Sequence, residues 1–193
     1  MNPPRAVRYT LLSAVLMVGL VAPDADAFLS AKADISGGAN GITGRARLVE
    51  DNNGNVLISI HVTGHPSVLT PGRHGVHIHE VGVCNPPGFT TAGGHFDPGP
   101  FGNSNTVTNH PFHMGDLENL EVNQDGEGRL VDITTRVSLS PSDISVFDAN
   151  GSAIIIHALE DQRSCQPDPT TGLCTGVSGG GRIACGVIVP DND

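Results

Sequence analysis

The chain has 193 residues, which suffices for one domain or two small ones with a sizeable hydrophobic core. Its formal charge of -10, from 20 acidic and 10 basic side chains, makes nucleic acid and anionic membranes poor partners. Aromatic residues are only 4% of the chain and tryptophan is absent, so aromatic binding platforms are nearly lacking.

The N-terminal residues have the pattern of a secretory signal peptide. Arg5 and Arg8 precede an apolar run over 10–22, and the small-residue sequence Ala25-Asp26-Ala27 follows it. The run is short for a membrane span, although a retained membrane anchor is the alternative. We therefore expect residues 1–27 to be a cleaved signal, a single domain over 28–193, and export to a periplasm or the extracellular medium, with no membrane contact after cleavage.

Short alternating runs predict β-strands along the mature chain. In VLISIHV, the apolar residues Val56, Ile58, Ile60 and Val62 share one face. In RLVDITTRV, the residues Val131, Ile133, Thr135 and Val137 alternate with more polar partners, and RIACGVIV over 182–189 is a final strand candidate. The dipeptides Asn53-Gly54, Asp125-Gly126 and Asn150-Gly151 suit tight hairpins. This pattern predicts an antiparallel β-sandwich or barrel.

Two stretches interrupt the strand pattern, residues 84–116 and 160–181, and both are rich in glycine and proline. Long loops in a compact domain are usually functional or disordered. The chain also has four cysteines, Cys84, Cys165, Cys174 and Cys185. An even number in an exported chain indicates disulfides, and the count alone allows three pairings.

Nine histidines are the strongest functional signal. In GVHIHE, strand alternation puts His77 and His79 on one face and Val76 and Ile78 on the other. Further along lie His95, His110, His113 and His157, with Asp116 close to His113. Imidazole nitrogens suit copper and zinc, and a carboxylate is a natural zinc ligand. The remaining three, His61, His65 and His74, are expected at the surface.

In their order, the motifs GVHIHE, AGGHFDP, HMGDLEN, IIIHALED and GGGRIACGVI resemble the copper,zinc superoxide dismutases. The resemblance covers roughly residues 30–190. It implies an all-β fold, an eight-stranded antiparallel Greek-key barrel with two long functional loops. It also implies dismutation of superoxide to oxygen and hydrogen peroxide, with one copper and one zinc ion per chain.

The resemblance also implies roles for individual residues. Copper would be held by His77, His79, His95 and His157, and zinc by His95, His110, His113 and Asp116, so that His95 bridges the two ions. Arg182 would dock the superoxide anion, and Asp161 would orient metal ligands from outside. Cys84 would pair with Cys185. In the implied cycle, His95 takes up a proton that helps to form hydrogen peroxide.

The chain departs from the family pattern in both long loops. Fourteen residues separate His95 from His110, a longer gap than usual in the family, so the loop that carries His110 must run differently from the family's. The second loop has Arg163 but no lysine, and it carries Cys165 and Cys174, which would pair with each other if Cys84 pairs with Cys185. Such a crosslink would restrain the loop beside the copper site.

Three other functions compete with dismutation. A copper carrier of the same fold would not need an anion-docking Arg182, and a purely structural domain would hold copper in a closed site. Zinc-dependent hydrolysis is disfavoured because four protein ligands leave no open position for water. The sequence is compatible with a monomer or a homodimer, and Asn150 lies in a glycosylation sequon that matters only in a eukaryotic secretory route.

Overall fold

The computed structural model describes residues 29–98, 113–162 and 179–191. The predicted signal peptide lies outside the described residues, as do His110, Arg163, Cys165 and Cys174. Among the residues that are described, no helix has the length and apolar character needed to cross a membrane.

The fold is built from ten β-strands. In chain order they are β1 (Leu29–Ser36), β2 (Thr43–Glu50), β3 (Val56–Thr63), β4 (Gly72–His74), β5 (Val76–His79), β6 (Leu120–Val122), β7 (Glu127–Thr134), β8 (Ala153–His157), β9 (Arg182–Val187) and β10 (Val189–Pro190). Two single 3-10 turns, Gly38–Asn40 and Thr90–Ala92, lie in the connections. The prediction of an all-β protein is confirmed.

The strands form one antiparallel sheet that nearly closes into a barrel. Its order is β4-β6-β7-β3-β2-β1-β9-β8-β5, and β10 pairs with β1. The two ends of this order, β4 and β5, are separated in the chain only by Gly75, so the sheet curls back on itself. The connections from β3 to β4 and from β7 to β8 join strands that are not neighbours, as in a Greek key.

Two of the three predicted hairpin turns are confirmed, Asn53-Gly54 between β2 and β3 and Asp125-Gly126 between β6 and β7. The third dipeptide, Asn150-Gly151, lies in the connection from β7 to β8, which do not pair, so the prediction of a hairpin there is wrong. The glycines of the three turn dipeptides, Gly54, Gly126 and Gly151, have φ angles of 78°, 76° and 63°. These left-handed conformations are open to glycine and costly for residues with a side chain. In β3 the predicted alternation also holds, with Val56, Ile58, Ile60 and Val62 all buried.

The structure supplies two details that the strand pattern did not give. In β7 the inward face is Leu130 and Thr134, whereas Val131 and Ile133 are 70% and 66% exposed. The pairing of β3 with β7 sets this orientation, because it aligns Ile133 with the outward Leu57. The described residues also form ten strands where the resemblance implied eight, because β4 and β10 are segments of three and two residues, too short to produce an alternating pattern.

The first long loop covers the outer face of the sheet where β5, β8 and β9 meet. All five residues of β8 are buried, because Ile154 and Ile156 face the main core while Ile155 faces the loop. Phe89 and Ala92 of the loop pack on Ile155. A disulfide between Cys84 and Cys185 fastens the loop to β9, as the resemblance implied. The loop therefore buries the outward face of β8 in a second, smaller hydrophobic cluster.

We expect loss of this disulfide to destabilise the fold. The bridge joins residues 101 apart, so it restricts a large loop of the unfolded chain. Replacing both Cys84 and Cys185 with serine should lower the free energy of unfolding by roughly 2–5 kcal/mol, measured by urea denaturation. A denaturation midpoint equal to that of the parent protein would contradict this expectation.

Candidate metal centre

Strand β5 places two histidines on the face that the first loop covers. Val76 and Ile78 point into the main core, and His77 and His79 point to the opposite side, as the alternation predicted. Both histidines are nevertheless fully buried, at 0% exposure. Main-chain bonds from Phe96 N to Ile78 O and from Ile78 N to Gly115 O cover the free edge of β5 with two parts of the loop.

This edge pairing brings loop residues beside the strand histidines. Isolated β-bridges join His79 to His95 and His77 to Asp116. From the other side, β8 pairs with β5 and ends at His157. As a result, one potential ligand atom each from His77, His79, His95 and His157 lies within 4.8 Å of the others.

Hydrogen bonds fix which nitrogen of each imidazole faces the centre of this four-histidine cluster. His79 Nδ1 lies 3.1 Å from Gly93 O, and His157 Nδ1 lies 2.9 Å from Gly180 O. Since a carbonyl oxygen can only accept, each Nδ1 carries the proton and each Nε2 keeps a lone pair. His79 Nε2 is buried and has no hydrogen-bond partner among the described residues.

In His77, Nδ1 and not Nε2 faces the centre of the cluster. His77 Nε2 lies 2.7 Å from the carboxylate Oδ2 of Asp161 and donates to it, which leaves a lone pair on Nδ1. That Nδ1 lies 3.0 Å from His157 Nε2. Two lone pairs at this distance repel each other unless a proton or a metal cation lies between them. The cluster therefore has the arrangement of a cation site.

Burial keeps these imidazoles neutral. It lowers the pKa of His79 to about 2, with further lowering by electrostatic interactions with His95 and Arg182. It also lowers the pKa of His157 to about 3, with a contribution from His77. The pKa of His77 is lowered too, chiefly by burial, although the hydrogen bond to Asp161 opposes this. Neutral imidazoles are the form that binds metals.

A second group shares His95 with the first. His95 Nδ1 lies 2.7 Å from Asp116 Oδ1, and His113 Nδ1 lies 3.3 Å from Asp116 Oδ2. Burial would raise the pKa of Asp116, but hydrogen bonds from His113 and His95 outweigh it and hold that pKa well below its usual value. His95, His113 and Asp116 are thus drawn together, while His110 lies outside the described residues.

Asp161 is held by a residue that the sequence reasoning missed. Asn119 Nδ2 donates to Asp161 O at 3.0 Å, and Asp161 N donates to Asn119 Oδ1 at 2.9 Å. Both residues are buried. The two bonds fix the backbone that aims the carboxylate at His77. Asn119 is part of HMGDLEN, so the motif contained the signal.

Arg182 lies beside the histidine cluster because of a β-bulge. The pairing of β8 with β9 shifts after Ile156, so that His157 faces Arg182 and Ile183 is the extra residue. Without the shift, Arg182 would lie on the core face with Ala184, since side chains alternate along a strand. The guanidinium donates to Phe89 O at 2.8 Å and to Gly93 O at 2.6 Å. Gly93 O also accepts from His79.

His74 was expected at the surface because its sequence neighbourhood is rich in turn residues. This prediction is wrong. The residue is 1% exposed, with Nδ1 2.7 Å from His157 O and Nε2 2.7 Å from Thr70 O. It therefore supports the backbone at the end of β8. By contrast, His61 and His65 are exposed as predicted, and His61 Nε2 pairs with Glu127.

The donor sets of the two groups fit different metals. Four imidazoles with bare nitrogens suit a copper ion, which imidazole holds in both of its common oxidation states. Two imidazoles and a carboxylate suit zinc, for which a fourth protein ligand completes a tetrahedron. Among the described residues, the buried His79 Nε2 has no hydrogen-bond partner, and such a lone pair is suited to bind a cation.

Comparison with known proteins points to one family. The model of the copper/zinc superoxide dismutase family matches residues 42–188. A Cu-Zn superoxide dismutase of Mycolicibacterium paratuberculosis is 38% identical over 156 residues, covering 72% of this chain and 65% of that protein, so the match spans slightly less than two thirds of the relative. Cu-Zn superoxide dismutase 2 of Aquifex aeolicus is 34% identical over 163 residues, covering 83% of this chain and 86% of the relative.

The fold has solved counterparts. The crystal structure of a double mutant of a SOD-like protein from Bacillus subtilis superposes with a TM-score of 0.63 at 32% identity. The match covers 81% of this chain and 95% of that one.

The lowered histidine pKa values predict acid sensitivity of the metal-free protein. Below about pH 6.5 the unfolded chain protonates His79 and His157, whereas the folded chain does so only near pH 3 or below. The free energy of unfolding should therefore fall as pH drops from 6.5, by at most roughly 1.4 kcal/mol per pH unit for each histidine. Denaturation at several pH values after chelation would measure this slope.

A double variant tests whether His79 and His157 cause this slope. In the His79→Gln, His157→Gln protein the slope should become shallower, while the exposed His65→Gln variant should keep the parent slope. An unchanged slope in the double variant would show that other groups cause the acid sensitivity.

We expect Asn119 to control metal affinity through Asp161. An Asn119→Ala variant loses both bonds that fix the Asp161 backbone, so the carboxylate no longer holds His77 in one orientation. Copper affinity should fall by about tenfold or more, as is usual when a supporting residue is lost. Competition with a chelating dye at neutral pH measures it. Asn55→Ala, in the turn between β2 and β3, should leave the affinity unchanged.

Proposed function

Since the chain belongs to the copper/zinc superoxide dismutase family, we propose that it converts two superoxide anions and two protons to dioxygen and hydrogen peroxide. One observation carries this proposal. A cluster of four histidines shares one of its members, His95, with an adjoining His/Asp group. Such a pair of sites can hold a redox metal with a second cation next to it.

The proposed copper ligands are His77, His79, His95 and His157. The proposed zinc ligands are His95, His113 and Asp116, completed by His110 from outside the described residues. When bound, copper supplies a one-electron redox couple, and zinc supplies positive charge without redox chemistry. Support for the division comes from the donor types, which are all nitrogen in one group and mixed in the other.

The chain's own residues have three tasks in this reaction. Arg182, held by two carbonyl oxygens, orients the anionic substrate beside the histidine cluster. His95 is the proposed proton carrier at Nε2, since its Nδ1 is engaged with Asp116. The buried carboxylate of Asp161 keeps His77 in one tautomer.

The proposed setting is an oxidising compartment outside the cytoplasm. The motif over residues 1–27 supports export as a signal peptide, and the Cys84–Cys185 bridge is of a kind that persists in periplasmic or extracellular surroundings. Cys165 and Cys174 would then form a second bridge. The proposed partner is superoxide, without nucleic acid or membrane, and the protein acts as a monomer or a homodimer.

Reconstitution tests the reaction directly. The mature chain should be stripped of metal and reloaded with copper, with zinc, and with both, and superoxide decay followed in each case. Activity is expected only where copper is present. One tightly bound copper ion per chain without activity would identify the protein as a copper carrier.

Arg182→Ala separates an enzyme from a carrier. Loss of a charge-assisted hydrogen bond to the substrate should lower kcat/KM by about 10- to 100-fold while the copper content stays the same. Arg45→Ala is the control, because Arg45 is an exposed arginine paired with Asp34. Equal activity in the Arg182→Ala and parent proteins would refute the docking role.

A further inference from the structure

We propose that Asn40 is a positioning residue for Arg182, acting through the β-bulge at Ile183. The inference rests on the proposed docking role of Arg182. Asn40 ends the short 3-10 turn between β1 and β2, and its Nδ2 donates to Ile183 O at 2.8 Å. The side chain of a distant turn thus holds the residue that directs Arg182 to the histidine cluster.

The orientation of the Asn40 amide follows from its two partners. Ile42 N donates to Asn40 Oδ1 at 3.1 Å, and Ile183 O can only accept, so Nδ2 must face Ile183. The bond to Ile42 belongs to the turn itself. The bond to Ile183 spans 143 positions of sequence and ties the turn to β9.

The carbonyl of a bulge needs such a partner. The extra residue of a β-bulge is left out of the ladder between the strands, and a main-chain carbonyl without a partner is costly. Asn40 supplies a donor for Ile183 O. If that donor is lost, the bulged pairing of β8 with β9 loses a hydrogen bond that favours it over the regular pairing. In the regular register Arg182 would point towards the apolar core, where a guanidinium is not tolerated.

The end of β9 should therefore loosen and not adopt the regular register. Arg182 would then leave the carbonyl oxygens of Phe89 and Gly93, which together hold its guanidinium. The main core would remain intact, because Ala184 and Ile188 lie beyond the bulge. The effect is expected on the orientation of Arg182 and not on the ability to bind copper.

Gly37 provides a second observation that points to the same contact. Its φ of -87° is open to any residue, so its conformation does not require glycine. However, a Cβ at Gly37 would lie 1.8 Å from Asn40 Oδ1. Any side chain at position 37 would displace the Asn40 amide.

The turn also lies next to Arg182 in space. A cavity of about 460 Å³ is lined by Gly37 and Asn40 of the turn, by Pro86 and Phe89 of the first loop, and by Arg182. The turn that holds the bulge and the loop that offers Phe89 O therefore both lie beside Arg182.

Three variants test the inference, Asn40→Ala, Asn40→Asp and Gly37→Ala. Asn40→Asp keeps the acceptor for Ile42 N and removes only the donor to Ile183, and repetition at higher salt screens its added charge. Asn123→Ala is the matched control, because Asn123 Oδ1 accepts main-chain N–H bonds in an exposed turn. Arg182→Ala serves as the reference for complete loss.

The first measurement is NMR of the Arg182 guanidinium in the metal-free protein. Its Nη protons should give separate signals when two carbonyls hold them, and averaged signals in all three variants. The second is azide titration of the copper-loaded protein, with azide as an anionic probe. The dissociation constant should rise by about two- to tenfold, the range for one lost hydrogen bond, with copper content unchanged.

The outcomes are distinguishable. If Asn40→Ala and Gly37→Ala keep the separate Arg182 signals and the parent azide affinity, the positioning role is overturned, even if their Tm falls. If Arg182→Ala itself leaves azide affinity unchanged, the docking role of Arg182 fails. The NMR result then still decides whether Asn40 holds the guanidinium.

Discussion

Neutral imidazoles buried around one point are the constraint on which the rest of this structure depends. His77 Nδ1 and His157 Nε2 face each other at 3.0 Å, and each has its proton on the other ring nitrogen. Such an arrangement is unfavourable in an empty interior and favourable around a cation. The surrounding fold must therefore do two things: prevent the rings from rotating away and prevent water from separating them.

Outer hydrogen bonds meet the first requirement. Each cluster histidine is held at the nitrogen that faces away from the centre, by a carbonyl or a carboxylate. Those acceptors are fixed in turn, as Asp161 is by Asn119. This two-layer support explains how flexible connections can present ligands in a defined geometry.

The covering loop meets the second requirement and also joins the ligands to the substrate-binding group. Gly93 O accepts from both His79 and Arg182, so the proposed copper ligand and the proposed anion-docking residue share one backbone atom. The disulfide and the apolar contacts of Phe89 hold this loop against β8. Displacement of the loop would therefore disturb metal ligation and anion docking together.

The sequence by itself determined the all-β class, two hairpin turns and the shared face of His77 and His79, because these depend on alternation and local backbone preference. It also indicated the residues of both histidine groups, through motifs that resemble one family. It did not determine the face of β7, the burial of His74 or the side to which Arg182 points. Those depend on cross-strand register and on one bulge between β8 and β9, which arise from contacts between distant segments and leave no periodic trace in the chain.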